Sequence, residues 1–178
     1  MSQTRPDRYS PRARLLHWLI AALVIVLLAT GFLAAAAPPE GKAVFLRLHL
    51  PVGIAVLLLA VARLALAVSE AVAKRRPAPA VEGAQATVAR SVHGLLYAAP
   101  IALGISGVAL SVLSGAPAAV FGSAPMPEFW AHPPRVAHGV LGIATATLVA
   151  LHLGAALYHQ VIKRDGLIGR MLPGPKQG

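Results

Sequence analysis

VAHGVLGIATATLVALHLGAALYHQVI, residues 136–162, carries three histidines and no Asp, Glu, Lys or Arg. Two properties of this stretch decide the architecture. Its length exceeds the roughly 20 apolar residues a helix needs to cross a bilayer, so it reads as a transmembrane helix. Its first two histidines, His138 and His152, are fourteen residues apart. At about 100° and 1.5 Å per residue they return to nearly the same helix face, about 21 Å apart. One stripe of one helix therefore presents two imidazoles at two depths of a membrane, where ionisable groups are costly and mark function.

The rest of the chain follows the same pattern. Apolar segments at Leu15–Ala37, Val44–Val68 and Val88–Leu113 are each long enough to span with some tilt. Of 178 residues, 57% are hydrophobic and 12% charged, against the roughly 25% charged residues of soluble domains. The expected fold is all-α: an integral membrane four-helix bundle forming a single transmembrane domain over residues 1–178, with no room for a soluble domain. The first segment follows a basic head and ends in Ala34-Ala35-Ala36, as a cleaved leader would. Its length and the His17-Trp18 pair at its start favour a retained helix. No convincing internal repeat is read from the chain. The absence of cysteine excludes disulfides, Cys-held iron–sulfur clusters and a c-type haem attached through sulfur, so any redox metal must be held by nitrogen, oxygen or methionine sulfur.

The formal charge of +10 would suggest nucleic acid in a soluble protein, but here the basic residues flank apolar runs, and no nucleic-acid partner is expected. The N-terminal head holds Arg5, Arg8, Arg12 and Arg14. The stretch from Arg63 to Arg90 holds Arg63, Lys74, Arg75, Arg76 and Arg90, and the tail holds Lys163, Arg164, Arg170 and Lys176. Against these thirteen, the two remaining connections carry only Lys42, Arg47 and Arg135. The positive-inside rule then puts both termini in the cytoplasm. Pro77, Pro79 and Gly83 make the cytoplasmic loop irregular, and Gly115 to Pro134, with five prolines, forms the longest exterior loop.

With that orientation the histidines sort by depth. His17 opens the first helix near the cytoplasmic face, His49 opens the second near the exterior face, and His138 and His152 sit at the two depths of the fourth. A lone intramembrane histidine often only hydrogen-bonds across helices, but four at two matched depths make two pairs. His49 with His138 outside and His17 with His152 inside would each hold the iron of a b-type haem. His93 shares the cytoplasmic depth and is read as a ligand, a quinone-site or haem-contact residue, or a structural hydrogen-bonding group. His159, seven residues beyond His152 on the same face, suits donation to a quinone carbonyl or a proton relay, against an interfacial structural role. His132 reads as a solvated loop residue. Arg14 and Arg90 inside, and Arg47 and Arg135 outside, are candidates for haem propionates or plain topology anchors. Arg63, in an otherwise apolar run near a cytoplasmic end, reads as a snorkelling side chain. Trp18, Trp130 and Tyr97 read as interfacial anchors or haem contacts.

Taken together, Tyr9…Arg14-Leu15-Leu16-His17-Trp18, Arg47-Leu48-His49-Leu50-Pro51-Val52-Gly53, His93-Gly94…Tyr97…Pro100…Gly104 and His138…His152…His159 ending in Arg170-Met171-Leu172-Pro173 resemble the bacterial cytochrome b561 family across nearly the whole chain. The resemblance implies two non-covalent b haems in a multi-pass protein of the bacterial inner membrane, electron exchange with ubiquinone, and the same histidine pairings. Small stand-alone members of that family include superoxide oxidases, which take electrons from superoxide outside and reduce ubiquinone near the cytoplasmic face. On that reading His159 and His93 lie at the quinone end. Steering of an anionic substrate would rest on Lys42, Arg47 and Arg135, offset by Glu40 and Glu128. The alternative is a non-enzymatic cytochrome b anchor that conducts electrons for a hydrogenase or formate dehydrogenase-like complex. A cofactor-free transporter is a third class.

Overall fold

The computed structural model describes residues 6–78 and 81–172; Arg5, Pro79, Pro173 and Lys176 lie outside them. Among the described residues there are four long helices, α1 (Pro11–Ala36), α2 (Pro39–Val72), α3 (Gly83–Ser114) and α5 (Pro134–Tyr158), with a short α4 (Ala116–Phe121) between the last two. A π turn, His159–Lys163, continues α5, so the fourth long helix runs to Lys163. All four are long and apolar enough to cross a membrane. The expected all-α four-helix membrane bundle is the observed one. The helices of 26 to 34 residues are about 39 to 51 Å long, so their ends project beyond a hydrocarbon core of about 30 Å.

Local chemistry sets the helix ends. Ser10 caps α1 by accepting from the Ala13 N–H, and Pro11 occupies the first turn, where its missing N–H costs nothing. Gly115, at φ +66°, ends α3 in the left-handed conformation that glycine adopts without strain and passes the chain directly into α4. Only Ala37 and Pro38 separate α1 from α2, which places Lys42 and Arg47 inside the first turns of α2 rather than in a loop. The second difference from the sequence reading lies in 115–134. That stretch is built around α4 and a short 3-10 turn at Phe129–Ala131, and Ala116 and Val120 are its fully buried plug.

Helices α1 and α2 pack as one antiparallel pair, α3 and α5 as another, and α2 meets α3 between them. Gly104 makes the last approach possible, since a Cβ there would stand 2.7 Å from Leu57 Cβ. The first and last described segments meet at one end, where the Tyr9 N–H bonds to the Arg170 carbonyl; this is called the termini end, and the end capped by α4 the far end.

The interior is sparsely filled. Between 6 and 22% of each apolar span is buried, too little self-packing for a bundle that fills its own core. Among the buried residues, Val24, Val56, Pro100 and Thr145 supply one from each long helix. Each lies seven residues from a histidine on its own helix, namely His17, His49, His93 and His138.

That register exposes an internal repeat, which corrects the sequence reading. On α1, His17 is followed after thirteen residues by Thr30-Gly31; on α3, His93 is followed after thirteen by Ser106-Gly107. On α2, His49 is followed by Gly53, Val56 and Arg63 at intervals of four, seven and fourteen; on α5, His138 is followed by Gly142, Thr145 and His152 at the same intervals. The two helix pairs, α1–α2 and α3–α5, share this pattern of intervals. Gly53-Ile54-Ala55 recurs as Gly142-Ile143-Ala144 and the other identities are scattered, so the repeat emerges only when the helices are aligned on their histidines.

Candidate functional site

The repeat stacks two layers of imidazoles, one on each side of Val24, Val56, Pro100 and Thr145. In the far-end layer the rings of His49 and His138 have centroids 6.1 Å apart with planes at 83°. At the termini end His17 and His152 stand 6.2 Å apart at 76°, and His93 approaches His152 from the other side, 5.6 Å away.

The far-end pair is held by a matched set of supports. Thr30 donates its hydroxyl proton to the Val26 carbonyl at 2.7 Å, so its oxygen is left to accept from His49 Nδ1 at 3.0 Å. Ser106 repeats this, donating to the Leu103 carbonyl at 3.0 Å and accepting from His138 Nδ1 at 3.0 Å. Each relay fixes one tautomer and leaves Nε2 unprotonated and free. The neighbouring glycines complete the seat, because a Cβ at Gly31 or Gly107 would press to 3.0 Å on Cε1 of His49 or His138. Thr30, Ser106, Gly31 and Gly107 were not singled out as site residues from sequence; the signal that finds them is the thirteen-residue interval after His17 and His93.

At the termini end, among the described residues, no such relay reaches His17, His93 or His152. Arg63 lies instead in the place that His152 occupies in the second copy of the repeat. It is only 6% exposed, which corrects its reading as a snorkelling side chain. Its guanidinium lies 5.8 Å from the Tyr97 ring centroid. Trp18 does not stand free as an anchor, because its indole N–H donates to the Met171 carbonyl, and Arg14 donates to the Leu172 carbonyl. Together with Arg170, which donates to the Asp7 and Ala78 carbonyls, these bonds strap residues 167–172 beneath the bundle.

The other candidates are distributed as follows. Arg90 is exposed and donates to Thr87 Oγ1. Arg47 donates from Nε to the Val120 carbonyl on α4. Arg135 stacks on Trp130 at 4.3 Å. His132 is half-buried in the far-end connection. His159, at the start of the π turn, donates from Nδ1 to the Asp165 carboxylate, the one salt bridge among the described residues. That bond holds the exposed Asp165 carboxyl below the usual carboxylate range. Two crevices open at the termini end, one of about 230 Å³ beside Arg76 and Tyr97 and one of about 520 Å³ beside Glu82 and Arg90; His159 lines neither.

Whether these residues fit a haem can be tested on the spacing. With metal–nitrogen bonds of about 2.0–2.1 Å and about an ångström from nitrogen to ring centre, two imidazoles on opposite sides of one metal have centres about 6 Å apart. The pairs at 6.1 and 6.2 Å meet that. No group of three or more His, Asp or Glu side chains among the described residues converges on a bare metal ion. Two axial nitrogens with the equatorial positions left open is the donor set that suits a macrocycle. The sparse interior and the Thr145 hydroxyl, buried without a partner midway between the layers, agree with a bundle completed by flat groups.

Fold and site together define a multi-pass membrane protein whose interior imidazoles are paired at the spacing of two ligands on opposite sides of one metal. The family described as prokaryotic cytochrome b561 matches residues 8–174, and the chain belongs to it: a b-type membrane cytochrome of the bacterial four-helix kind. Among its relatives, the probable superoxide oxidase CybB of Yersinia pestis is 28% identical over 165 residues, covering 89% of this chain and 92% of the relative. Cytochrome b561 homolog 2 of Escherichia coli (strain K12) is 30% identical over 177 residues, covering 94% and 92%.

Proposed function

We propose that this chain is a dihaem electron conduit of the bacterial inner membrane that takes electrons from superoxide at the far, exterior end and delivers them to ubiquinone at the cytoplasmic termini end. The observation that carries this reading is the pair of 6 Å imidazole gaps at two depths, fourteen residues apart on α5. His49 and His138 would hold the exterior haem, and His17 and His152 the interior one. When bound, the haems supply one-electron transfer between the two ends. Two superoxide anions leave as dioxygen and yield two electrons; ubiquinone takes both with two protons.

The protein's own residues have distinct tasks. Thr30 and Ser106 orient the exterior ligands, and Val24, Val56, Pro100 and Thr145 keep water from between the two sites. His159, oriented by Asp165, presents Nε2 as the proton-handling group for the quinone. His93 borders the interior haem beside His152. Lys42, Arg47 and Arg135 give the exterior end its positive charge. The name of the Yersinia pestis relative supports superoxide as donor, as does the resemblance set out above.

A dithionite-reduced minus oxidised spectrum of detergent-purified protein, with pyridine haemochrome counting, should give two b haems per chain. Xanthine oxidase-generated superoxide should then drive reduction of added ubiquinone with no other protein present. A preparation that takes up fewer than two haems with haem in excess refutes the dihaem assignment. Haem-replete protein that ignores superoxide but co-purifies with an iron–sulfur partner would be the anchor subunit instead.

A further inference from the structure

Arg63 is the one member of the two histidine layers that is not a histidine or part of a hydroxyl–glycine seat. It is more than nine-tenths buried, within electrostatic reach of His17, and among the described residues it has neither an ion pair nor a hydrogen bond; its recorded contact is the Tyr97 ring. The nearest carboxylate on its own helix face, Glu70, is seven residues on, about 10 Å along the axis. A largely buried arginine whose guanidinium has only a cation–π contact is costly in a membrane interior, and an anionic group in the same layer would offset that cost. Among the described residues the far-end layer has no buried cation: Arg47 is exposed and bonded to the Val120 carbonyl, Arg135 is half-buried on Trp130, and Lys42 is half-buried and donates to the Ala34 carbonyl.

We propose that Arg63 is a positioning residue that serves as the fixed counter-charge of the termini-end haem, raising its reduction potential above that of the far-end haem and so giving the conduit its direction. The proposal rests on the dihaem reading above. The physical reason is the sign of the change: reduction adds one negative charge to the haem, and a fixed cation in a medium of low polarity stabilises the reduced form more than the oxidised one. In the second half of the repeat the same position had to supply a ligand, His152. In the first half it was left free to carry charge. Tyr97, four residues after His93 and without a counterpart four residues after His17, holds the guanidinium from the other side.

The test is a spectroelectrochemical titration of the full chain, with the two haem waves assigned from His138→Ala and His152→Ala. Arg63→Gln should lower the termini-end haem's reduced-to-oxidised ratio at fixed potential at least tenfold, about 59 mV for a one-electron couple, and leave the far-end wave in place. Arg63→Lys should restore most of that shift. Two unchanged waves in Arg63→Gln overturn the proposal, as does an equal shift of both. If Arg63→Gln takes up one haem only, Arg63→Lys decides: recovery of the second haem supports the counter-charge, and continued loss overturns it. A wild-type protein with fewer than two haems would instead sink the dihaem reading, which the haem count reveals before any variant is compared.

Discussion

The two ends of the bundle hold histidine pairs at the same separation, 6.1 and 6.2 Å, by different means. At the far end each ring is fixed by a hydroxyl relay into a helix carbonyl and backed by a glycine. At the termini end, among the described residues, the rings have no relay; they share their layer with a third histidine, a buried arginine and a tail strapped to α1. The far-end rings are each held by a hydroxyl and a close glycine, which suits a site that accepts an electron with little rearrangement. The termini-end layer trades that rigidity for additional titratable and charged groups, which suits a site where electrons must be joined by protons. The lesson is that a repeated scaffold can keep its metal geometry while its supports diverge with the chemistry at each surface.

The largest effect that breaks this comparison is loss of a whole haem. His138→Ala should reduce the haem count from two to one and spare the termini-end spectrum, while His152→Ala should do the converse; a variant that retains both haems removes its histidine from the ligand set. Next, His159→Ala should leave the spectrum of both haems intact and slow ubiquinone reduction by about 100-fold, the lower range for a lost general acid. Unchanged turnover would end the proton role. Asp165→Asn should lower turnover less, because the amide oxygen still accepts from Nδ1. The pH sign follows from Asp165: its folded-state pKa is depressed, so the interaction is present above the ordinary carboxylate value and is lost only as pH falls through the depressed one. A decline of turnover between pH 7 and 5 that persists in Asp165→Asn therefore belongs to another group.

The smallest effect sharpens the difference between the layers. Thr30→Val and Ser106→Ala each remove one relay, and loss of such a support costs roughly 10- to 100-fold in metal affinity or activity elsewhere. Here the loss should appear in retention of the far-end haem, with that haem's potential raised because its ligand is less basic. Washing purified variants with a haem-scavenging apoprotein and following both absorbance bands would check it. Equal loss from both layers would mean that the relays serve the bundle as a whole.

The number of crossings and the all-α class were legible in the chain because hydrophobic runs of membrane length have few other readings. The fourteen-residue interval from His138 to His152 was legible because helix geometry converts a sequence interval directly into a face and a depth. The arginines were harder. Arg14, Arg47, Arg90 and Arg135 all stand near the right depths, yet they bond to Leu172, Val120 and Thr87 or stack on Trp130. Arg14 and Arg47 take partners 158 and 73 residues away, which no local pattern encodes, while Arg90 and Arg135 turn to near neighbours on their own segments. Arg63 was misread for the same reason, since a snorkelling arginine and a buried one have the same local sequence.

By itself, then, the sequence determined four membrane helices, two depths of imidazole and the residues that form each layer, because these follow from hydropathy and from a fixed rise and rotation per residue. Tertiary structure alone decided that Thr30 and Ser106 seat the far-end rings, that His93 joins His152, and that Arg63 is buried against Tyr97. Those facts depend on the distance between helices, and no periodicity within a single helix encodes that distance.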